Sequence, residues 1–335
     1  MSHIKTRFFI LSDTHGKPWP DIPNTPVDVA IHCGDLTDES KLEEFRVSLA
    51  LLRRINASLK LVVAGNHDFT LDTPAYEKKA AQANRLFSID SALMTREYGS
   101  FGEARRLFDI GNNNDGDNDI VFLDEGVHHF DLQNGARLMV YASPFTPSLG
   151  AGWGFQYRRG EDPEFAIGDE VDVVITHGPP KGVLDLTASR QRGGCEQLFA
   201  AVARARPRLH CFGHIHEGWG AEAVAWRGET PSENPSHFTD IDNDASAVVE
   251  TLSTLRPTKW DTPEMATEKK AALQTLNAQG YRYTSHCAHD KHPIQPTQAT
   301  TLFVNASVQP ASEEDSHHQL PWVVEIELPS TAVKA

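Results

Sequence analysis

The chain contains few cysteines, and they form neither a disulfide nor a thiolate metal-binding pattern. Four occur among 335 residues, without any Cys-x-x-Cys pair: Cys33, Cys195, Cys211 and Cys287. Two of them, Cys33 and Cys211, lie at the ends of apolar runs, where a reduced thiol behaves as a small hydrophobic side chain. This usage disfavours a secreted, disulfide-stapled protein and predicts reduced thiols in a cytoplasmic one.

The sequence also lacks long apolar runs and an excess of positive charge. No run approaches the length of about 18 apolar residues that a membrane span needs, and the start, MSHIK, lacks the regions of a signal peptide. Lys and Arg number 31 against 46 Asp and Glu, for a net charge of -15. Because proteins that bind the nucleic-acid backbone normally carry a basic surface, we expect no nucleic-acid polymer as partner. The lack of a long apolar run leads us to expect no membrane as partner either. The oligomeric state stays open.

The most informative stretch is Gly-Asn-His-Asp at residues 65–68. It follows an apolar run, residues 59–64, that predicts a buried strand. A glycine there lets the backbone turn sharply, and an amide, an imidazole and a carboxylate then follow at the carboxyl end of the strand. Ligands of open α/β sheets bind at that end. Taken alone, the stretch is better explained as a turn with incidental polar residues.

The same arrangement recurs after four further apolar segments. The polar residues that follow those segments are Asp13 and His15, Asp35, His177, and His214 and His216. Carboxylates, imidazoles and an amide without thiolates suit Mn, Fe, Co, Ni or Zn better than calcium. So many groups at one sheet edge exceed the needs of one ion, whereas two ions about 3.5–4 Å apart would use them. The sequence therefore predicts a site for two divalent transition-metal ions of undecided identity.

Strands that alternate with helices or loops predict a layered α/β core. Three short apolar segments, 120–123, 127–132 and 137–142, predict an antiparallel group of strands. We expect residues 1–335 to form a single domain that carries two insertions, described next.

The first insertion is an acidic surface loop at residues 109–119, in which the acidic residues do not have the spacing of a calcium-binding loop. The second is a long segment of low hydrophobicity at about 226–298, rich in Pro, Ser, Thr and acidic residues. Only residues 263–278 in it predict a helix, and we expect the rest to be irregular and partly disordered.

The motifs DTH, GD, GNHD, THG and GHIH resemble those of the calcineurin-like metallophosphoesterase superfamily. Longer segments, among them RFFILSDTHG, GWGF, RPRLHCFGHIHEGWG and FVNAS, resemble the metallophosphoesterase-domain-containing subgroup, of the class III phosphodiesterase type. The resemblance covers residues 7–220 and 301–329 and leaves out both insertions.

The resemblance implies a fold: a four-layer αββα sandwich of two mixed β-sheets flanked by helices. It also implies the ligands of two metal ions, which are Asp13, His15, Asp35 and His216 for one ion, and Asp35, Asn66, His177 and His214 for the other. Asp35 would bridge the ions, and a hydroxide between them would attack phosphorus. His67 would stabilise the phosphoryl group or protonate the leaving oxygen, and Asp68 would orient the His67 ring.

Departures from sister families favour a phosphodiesterase for a small, nucleotide-like ester. The second motif lacks the arginine of protein phosphatases, and Asp38 stands where purple acid phosphatases have a metal-binding tyrosine. Candidate substrate-binding residues on neighbouring loops are Trp153, Phe155, Arg192, Cys195 and Trp219. The aromatic residues could stack a nucleobase, or they could only pack the loops.

Two other functions stay open at this point. One is a metal-dependent hydrolase or lyase on the same fold that acts on a bond other than P–O, because the metals would activate water equally well. The other is a non-catalytic scaffold, which the complete set of ligands disfavours.

Overall fold

The computed structural model describes residues 2–19, 22–87, 90–109, 120–148, 152–294, 299–311 and 318–331. Of the predicted acidic loop, residues 110–119 lie outside the described residues.

One six-stranded sheet contains the first motifs. Its strands are β1 (His3–Leu11), β2 (Val27–His32), β3 (Ala57–Val62), β4 (Ile120–Phe122), β13 (Arg282–Ser285) and β15 (Trp322–Pro329). The order is β13-β15-β1-β2-β3-β4. Strands β1 to β4 run parallel, and β15 is antiparallel to β1. Parallel strands bring their carboxyl ends to one edge, where the motifs follow β1, β2 and β3.

A seven-stranded sheet contains the later motifs. Its strands are β5 (Gly126–Asp131), β6 (Arg137–Ser143), β9 (Val173–Thr176), β10 (Leu209–Phe212), β11 (Gly220–Trp226), β12 (Ile241–Thr251) and β14 (Thr300–Asn305). The order is β12-β11-β14-β10-β9-β6-β5. Strands β6, β9, β10 and β14 run parallel, while β5, β11 and β12 pair antiparallel. A separate ribbon joins β7 (Thr146–Ser148) to β8 (Gln156–Arg158).

Helices connect and cover the sheets. They are α1 (Leu42–Arg54), α2 (Thr73–Phe87), α3 (Ser91–Tyr98), α4 (Glu103–Asp109), α5 (Glu196–Ala205), α6 (Leu252–Leu255) and α7 (Pro263–Gln279).

Alternation along the strands builds the layers. Phe8 and Ile10 of β1 belong to the core between the two sheets, whereas Phe9 and Leu11 pack on the opposite face with Phe45 of α1. This alternation is the period of two of a β-strand.

The seven-stranded sheet repeats the pattern. Cys211 of β10 faces the core between the sheets, and Phe212 packs outward with Leu198 and Phe199 of α5. Helices therefore cover the outer face of each sheet, and the predicted α/β sandwich of two mixed sheets flanked by helices is confirmed.

The predicted antiparallel group at 120–142 is wrong in its first member. Strands β5 and β6 do pair antiparallel. Strand β4 instead joins the other sheet, parallel to β3, with Ile120 opposite Lys60. Proximity in sequence suggested a shared sheet, but β4 occupies the edge of the six-stranded sheet.

The segment at 226–298 contains more regular structure than predicted. Its helix is confirmed as α7, but it also supplies β12 and β13, one edge strand to each sheet. Edge strands of a sheet are partly solvated, and most of β12 is not buried, so the segment lacks the apolar runs that identify central strands. Leu255 and Ile294 nevertheless belong to the core between the sheets. Residues 295–298 lie outside the described residues.

Among the described residues, no helix is both long and apolar enough to cross a membrane.

Candidate metal centre

The loops after the strands of both sheets are hydrogen-bonded to one another. The Asp13 N–H donates to the Gly34 carbonyl at 2.9 Å, and the Gly213 N–H donates to the His177 carbonyl at 3.0 Å. The His214 N–H donates to the Asp13 carboxylate at 3.1 Å, which joins the two sheets. The predicted residues are thus held at one place.

Four of the predicted ligands have left-handed backbone. The φ angles are 59° at Asp13, 49° at His15, 53° at Asp35 and 67° at His214. Such angles are uncommon outside glycine and cost on the order of 1–3 kcal/mol each. Their concentration at this edge makes it the candidate functional site.

Two glycines permit the close approach of the loops. A Cβ on Gly34, which has φ of 98°, would lie 2.6 Å from Nδ1 of His177. A Cβ on Gly65 would lie 2.2 Å from Oδ1 of Asp35. Only glycine at these positions leaves room for the imidazole and the carboxylate.

The first group of side chains comprises Asp13, His15 and His216, whose ligand atoms all lie within 4.8 Å of one another. Nε2 of His216 is 3.4 Å from Oδ1 of Asp13. Burial opposes ionisation of Asp13, but the hydrogen bond to His216 and the nearby histidines outweigh it and hold the pKa of Asp13 well below its usual range.

Within this group His15 presents an unused nitrogen. Its Nδ1 donates to the Thr37 carbonyl at 3.2 Å, which leaves the lone pair on Nε2. That Nε2 is buried and has no hydrogen-bond partner among the described residues. A buried nitrogen without a partner is costly, and a metal ion would satisfy it.

The second group comprises Asp35, His177 and His214, with the same 4.8 Å limit. Nε2 of His177 lies 3.3 Å from Oδ2 of Asp35 and 3.1 Å from Oδ1 of Asn66. Its Nδ1 donates to the Cys33 carbonyl at 2.9 Å, so Nε2 is directed at these oxygens. This is the orienting bond typical of a metal-binding histidine.

The two imidazoles of this group are shifted in opposite directions. Burial disfavours the charged form of His177, but the adjacent Asp35 outweighs it and raises the pKa of His177 to about 9. Burial, helped by the charge on His177, lowers the pKa of His214 to about 4. A neutral His214 is the form that can bind a metal ion.

All seven predicted metal ligands are therefore in or beside these two groups, Asn66 through its contact with His177. Buried carboxylates, imidazoles and an amide oxygen fit divalent transition metals. The bridging role of Asp35 stays a prediction. One of its oxygens, Oδ2, faces Nε2 of His177, whereas the other, Oδ1, accepts the His67 N–H at 2.8 Å.

His67 lies beside the first group. Its ring is 4.8 Å from that of His15, edge to face, and it stacks on Trp153 at 4.1 Å. Nδ1 of His67 donates to the Asp38 carbonyl at 2.6 Å. Among the described residues, Nε2 of His67 has no hydrogen-bond partner, so this nitrogen is free to meet a substrate.

The predicted orientation of His67 by Asp68 is wrong. The Asp68 carboxylate accepts hydrogen bonds from the N–H groups of Leu36, Thr37 and Gly65 at 3.1, 2.9 and 2.8 Å, and from the Thr37 hydroxyl at 2.7 Å. Burial, together with the charge on Asp35, raises the pKa of Asp68 to about 7 against these donors. Asp68 ties two loops together, and Asp38 holds the ring. Sequence reasoning noted Asp38 only as a departure from a sister family.

Of the predicted substrate-binding residues, Trp153 lies at the site and is 41% exposed. Phe155 is half-buried, with its ring 6.4 Å from that of Phe145. Arg192 donates to the buried carboxylate of Asp185 at 2.6 Å, so its charge already has a partner.

Cys195 and Trp219 are wrong as pocket walls. Cys195 is 2% exposed and caps α5 by accepting the Leu198 N–H. Trp219 is 1% exposed, stacks on Trp322, and donates its indole N–H to the Leu320 carbonyl at 2.8 Å. Their positions on loops beside the strand ends that carry the motifs predicted a wall, but both side chains pack into the interior.

This fold and this arrangement of Asp and His are those expected of the metallophosphoesterase class. Residues 6–218 match the family model of the calcineurin-like phosphoesterases, a range that includes all seven predicted ligands. The chain therefore belongs to the calcineurin-like phosphoesterase family.

Relatives are similar over about two thirds of the chain. Metallophosphoesterase domain-containing protein 1 of Homo sapiens is 34% identical over 224 residues, which are 65% of this chain and 63% of that protein. The chain thus spans less than two thirds of the length of that relative. A probable rhamnogalacturonate lyase C of Emericella nidulans is also 34% identical over 224 residues, covering 66% of this chain but 18% of that protein.

Among solved structures, a purple acid phosphatase from yellow lupin seeds has a TM-score of 0.39 and 10% identity, covering 98% of this chain and 50% of that one. A likeness at this level does not bear on the substrate.

Proposed function

We propose that the protein is a dinuclear metal-dependent phosphoesterase that hydrolyses small, nucleotide-like phosphodiesters. The observation that carries the proposal is the pair of Asp/His groups, Asp13–His15–His216 and Asp35–His177–His214, at the junction of the two sheets. The family membership supports hydrolysis of phosphate esters, and the phosphodiester preference and the number of metals are our proposal.

The two groups would hold one divalent ion each. In this proposal Asn66 would complete the second group, and Asp35 would be a ligand of both ions. When bound, such ions act as Lewis acids and lower the pKa of a coordinated water. The protein would orient the ligands before an ion binds. In His15 and in His177 the Nδ1–H donates to a backbone carbonyl, and this hydrogen bond directs Nε2 inward.

His67 would act on the leaving group. The Asp38 carbonyl holds Nδ1–H, so the proton that His67 can transfer is on Nε2. Delivery of this proton to the leaving oxygen would neutralise the alkoxide as the P–O bond breaks.

Trp153 would bind the organic part of the ester. Its indole stacks on His67 and is 41% exposed, so an aromatic base can lie against it next to the reacting phosphoryl group. Stacking of a base on an aromatic side chain contributes on the order of 1–3 kcal/mol. A net charge of -15 disfavours longer polyanions.

A lyase or hydrolase acting on a non-phosphate bond is the second candidate. The name of the Emericella nidulans relative mentions a lyase, but the match covers only 18% of that protein. The name therefore describes a much longer chain, and we rank phosphoester hydrolysis first.

The test combines metal analysis with an ester panel. We expect two transition-metal ions per chain by elemental analysis and hydrolysis of bis(p-nitrophenyl) phosphate. Asp35→Asn should weaken both metal sites, whereas Asp131→Asn on exposed β5 should retain both ions. A protein that hydrolyses no phosphate ester with both ions bound would overturn the proposal.

A further inference from the structure

We propose that a cationic cleft beside Trp153 binds a second anionic group of the substrate, so that the preferred esters carry a phosphate on the far side of an aromatic base or sugar. The cleft, of about 630 Å³, lies between α2 and the ribbon of β7 and β8. The inference rests on the proposed function and names the substrate class for it.

The cleft is positively charged in an otherwise acidic protein. Lys78, Lys79 and Arg158 line it, and none of the three forms an ion pair with a described residue. Two carboxylates also line it. That of Asp72 accepts two backbone N–H groups, at 3.1 and 2.7 Å, which leaves Glu161 as the other acidic group. Three cations against two carboxylates, one of which is already hydrogen-bonded to the backbone, leave a net positive charge that favours an anionic ligand.

Lys79 is the cation best placed for this role. Its Nζ lies 4.9 Å from the centre of the Trp153 ring and 4.4 Å from that of Phe69. Partial burial lowers the pKa of Lys79. Removing an ammonium from water without a carboxylate partner is unfavourable, and an anion bound here would compensate for it.

Ring contacts connect this cation to the Asp/His groups. The rings of His15 and His67 are 4.8 Å apart, and those of His67 and Trp153 are 4.1 Å apart. A substrate whose phosphorus lies at the first group and whose base lies on Trp153 therefore extends toward Lys79.

Two hydrogen bonds hold the backbone directly after Trp153. The Gly154 N–H donates to the Asn66 carbonyl at 2.9 Å, and the Phe155 N–H donates to the Asp72 carboxylate at 2.7 Å. One bond leads to a predicted ligand and the other to the cleft. Trp153 thus contacts both His67, beside the Asp/His groups, and Lys79, in the cleft.

Lys79 has an alternative role, which is to support the Trp153 ring through a cation–π contact. In that case its removal would impair all aromatic esters alike. A role in binding a second anion would impair selectively the esters that carry one.

The test uses two chromogenic esters that differ by one phosphate: thymidine 5′-(p-nitrophenyl phosphate) and the same compound with a 3′-phosphate. The release of p-nitrophenolate reports only on the 5′ ester. We expect kcat/KM to be about tenfold higher for the 3′-phosphorylated ester, the usual scale of a charge-assisted hydrogen bond. Lys79→Gln should remove most of this ratio and Lys79→Arg should preserve it. Lys270→Gln, on exposed α7, is the matched control and should leave the ratio unchanged.

Other outcomes separate the two proposals. Equal kcat/KM for both esters in the wild type, or an equal loss on both in Lys79→Gln, would overturn the cleft and leave the phosphoesterase standing. Hydrolysis of neither ester would overturn the proposed function. Calorimetry with thymidine 3′,5′-bisphosphate and thymidine 5′-phosphate would then decide on the cleft, because equal affinities would refute it.

Discussion

At the scale of single residues, His67 is the group whose proposed role is chemical rather than structural. It touches His15 and Trp153 through ring contacts, and one hydrogen bond holds its Nδ1. His67→Ala should retain both metal ions and lower kcat by about 10²–10⁴, the range of general acid catalysis. Steady-state kinetics with elemental analysis checks this. His129→Ala, an exposed histidine on β5, should change neither. Loss of an ion in His67→Ala would contradict the assignment.

Burial of His210 should make the stability of the protein sensitive to acid. It is fully buried on β10, with Nε2 2.9 Å from the Thr176 hydroxyl and rings of Phe212 and Phe303 beside it. Burial lowers the pKa of His210 to about 3, from an ordinary value of 6.5. The unfolded chain therefore binds more protons between these pH values. This contribution to stability is complete above pH 6.5 and is lost as the pH falls toward 3.

We expect His210→Gln to flatten the dependence of the unfolding free energy on pH below about 6 by up to about 1.4 kcal/mol per pH unit. Urea titrations at about pH 7 and about pH 5 measure the slope. Exposed His129→Gln should keep the slope of the wild type. An unchanged slope in His210→Gln would show that another group carries the acid sensitivity.

The sequence predicted the grouping of the candidate metal ligands better than their surroundings. Strand ends of a parallel sheet must meet at one edge, so residues such as Asp13 and Asp35 could be grouped without coordinates. The contacts of the Asp68 and Trp219 side chains could not be predicted in this way, because the direction of a side chain after a turn depends on backbone angles and on partners distant in sequence. Asp38 was missed for the same reason, since its carbonyl rather than its side chain holds His67.

At the scale of elements, central strands were predictable and edge strands were not. β2 and β9 are nearly continuous apolar runs because both of their faces are buried. β12 and β13 each pair with one neighbour and remain partly exposed, so their composition resembles that of a loop. β4 has only three residues, too few for a pattern to indicate its sheet.

The segment at 226–298 should contribute to stability despite its composition. Ile294 is 3% exposed and packs in the core between the sheets. Ile294→Ala should lower the unfolding free energy by about 2–4 kcal/mol, through lost burial and a cavity. Met265→Ala, in the same segment but 46% exposed, should change it by less than about 0.5 kcal/mol. If chemical denaturation showed the same small change in unfolding free energy for both substitutions, the segment would not be part of the core.

At the scale of the whole molecule, the proposed metal centre joins the two sheets. Asp13 and Asp35 follow strands of the six-stranded sheet, and His177 and His214 follow strands of the seven-stranded one. The core between the sheets is apolar, so the charges of these Asp and His side chains are concentrated at the junction. Groups from both sheets are needed to balance them. Metal binding should therefore stabilise the association of the sheets as well as the loops.

We expect chelation to lower Tm and added Mn²⁺ to restore it. An ion at about 100 times its Kd that binds only the folded state contributes about 2.7 kcal/mol, which corresponds to a shift on the order of 5 °C for a chain of this size. Calorimetry of the wild type and of Asp35→Asn, each with chelator and with Mn²⁺, measures the shift. Asp35→Asn should lose most of it, because in the proposed centre that carboxylate would bind both ions, while Asp131→Asn should keep it. If Tm stayed the same with and without the metal while elemental analysis recorded bound ions, the centre would not hold the sheets together. The buried carboxylates would then have to be balanced by the histidines alone.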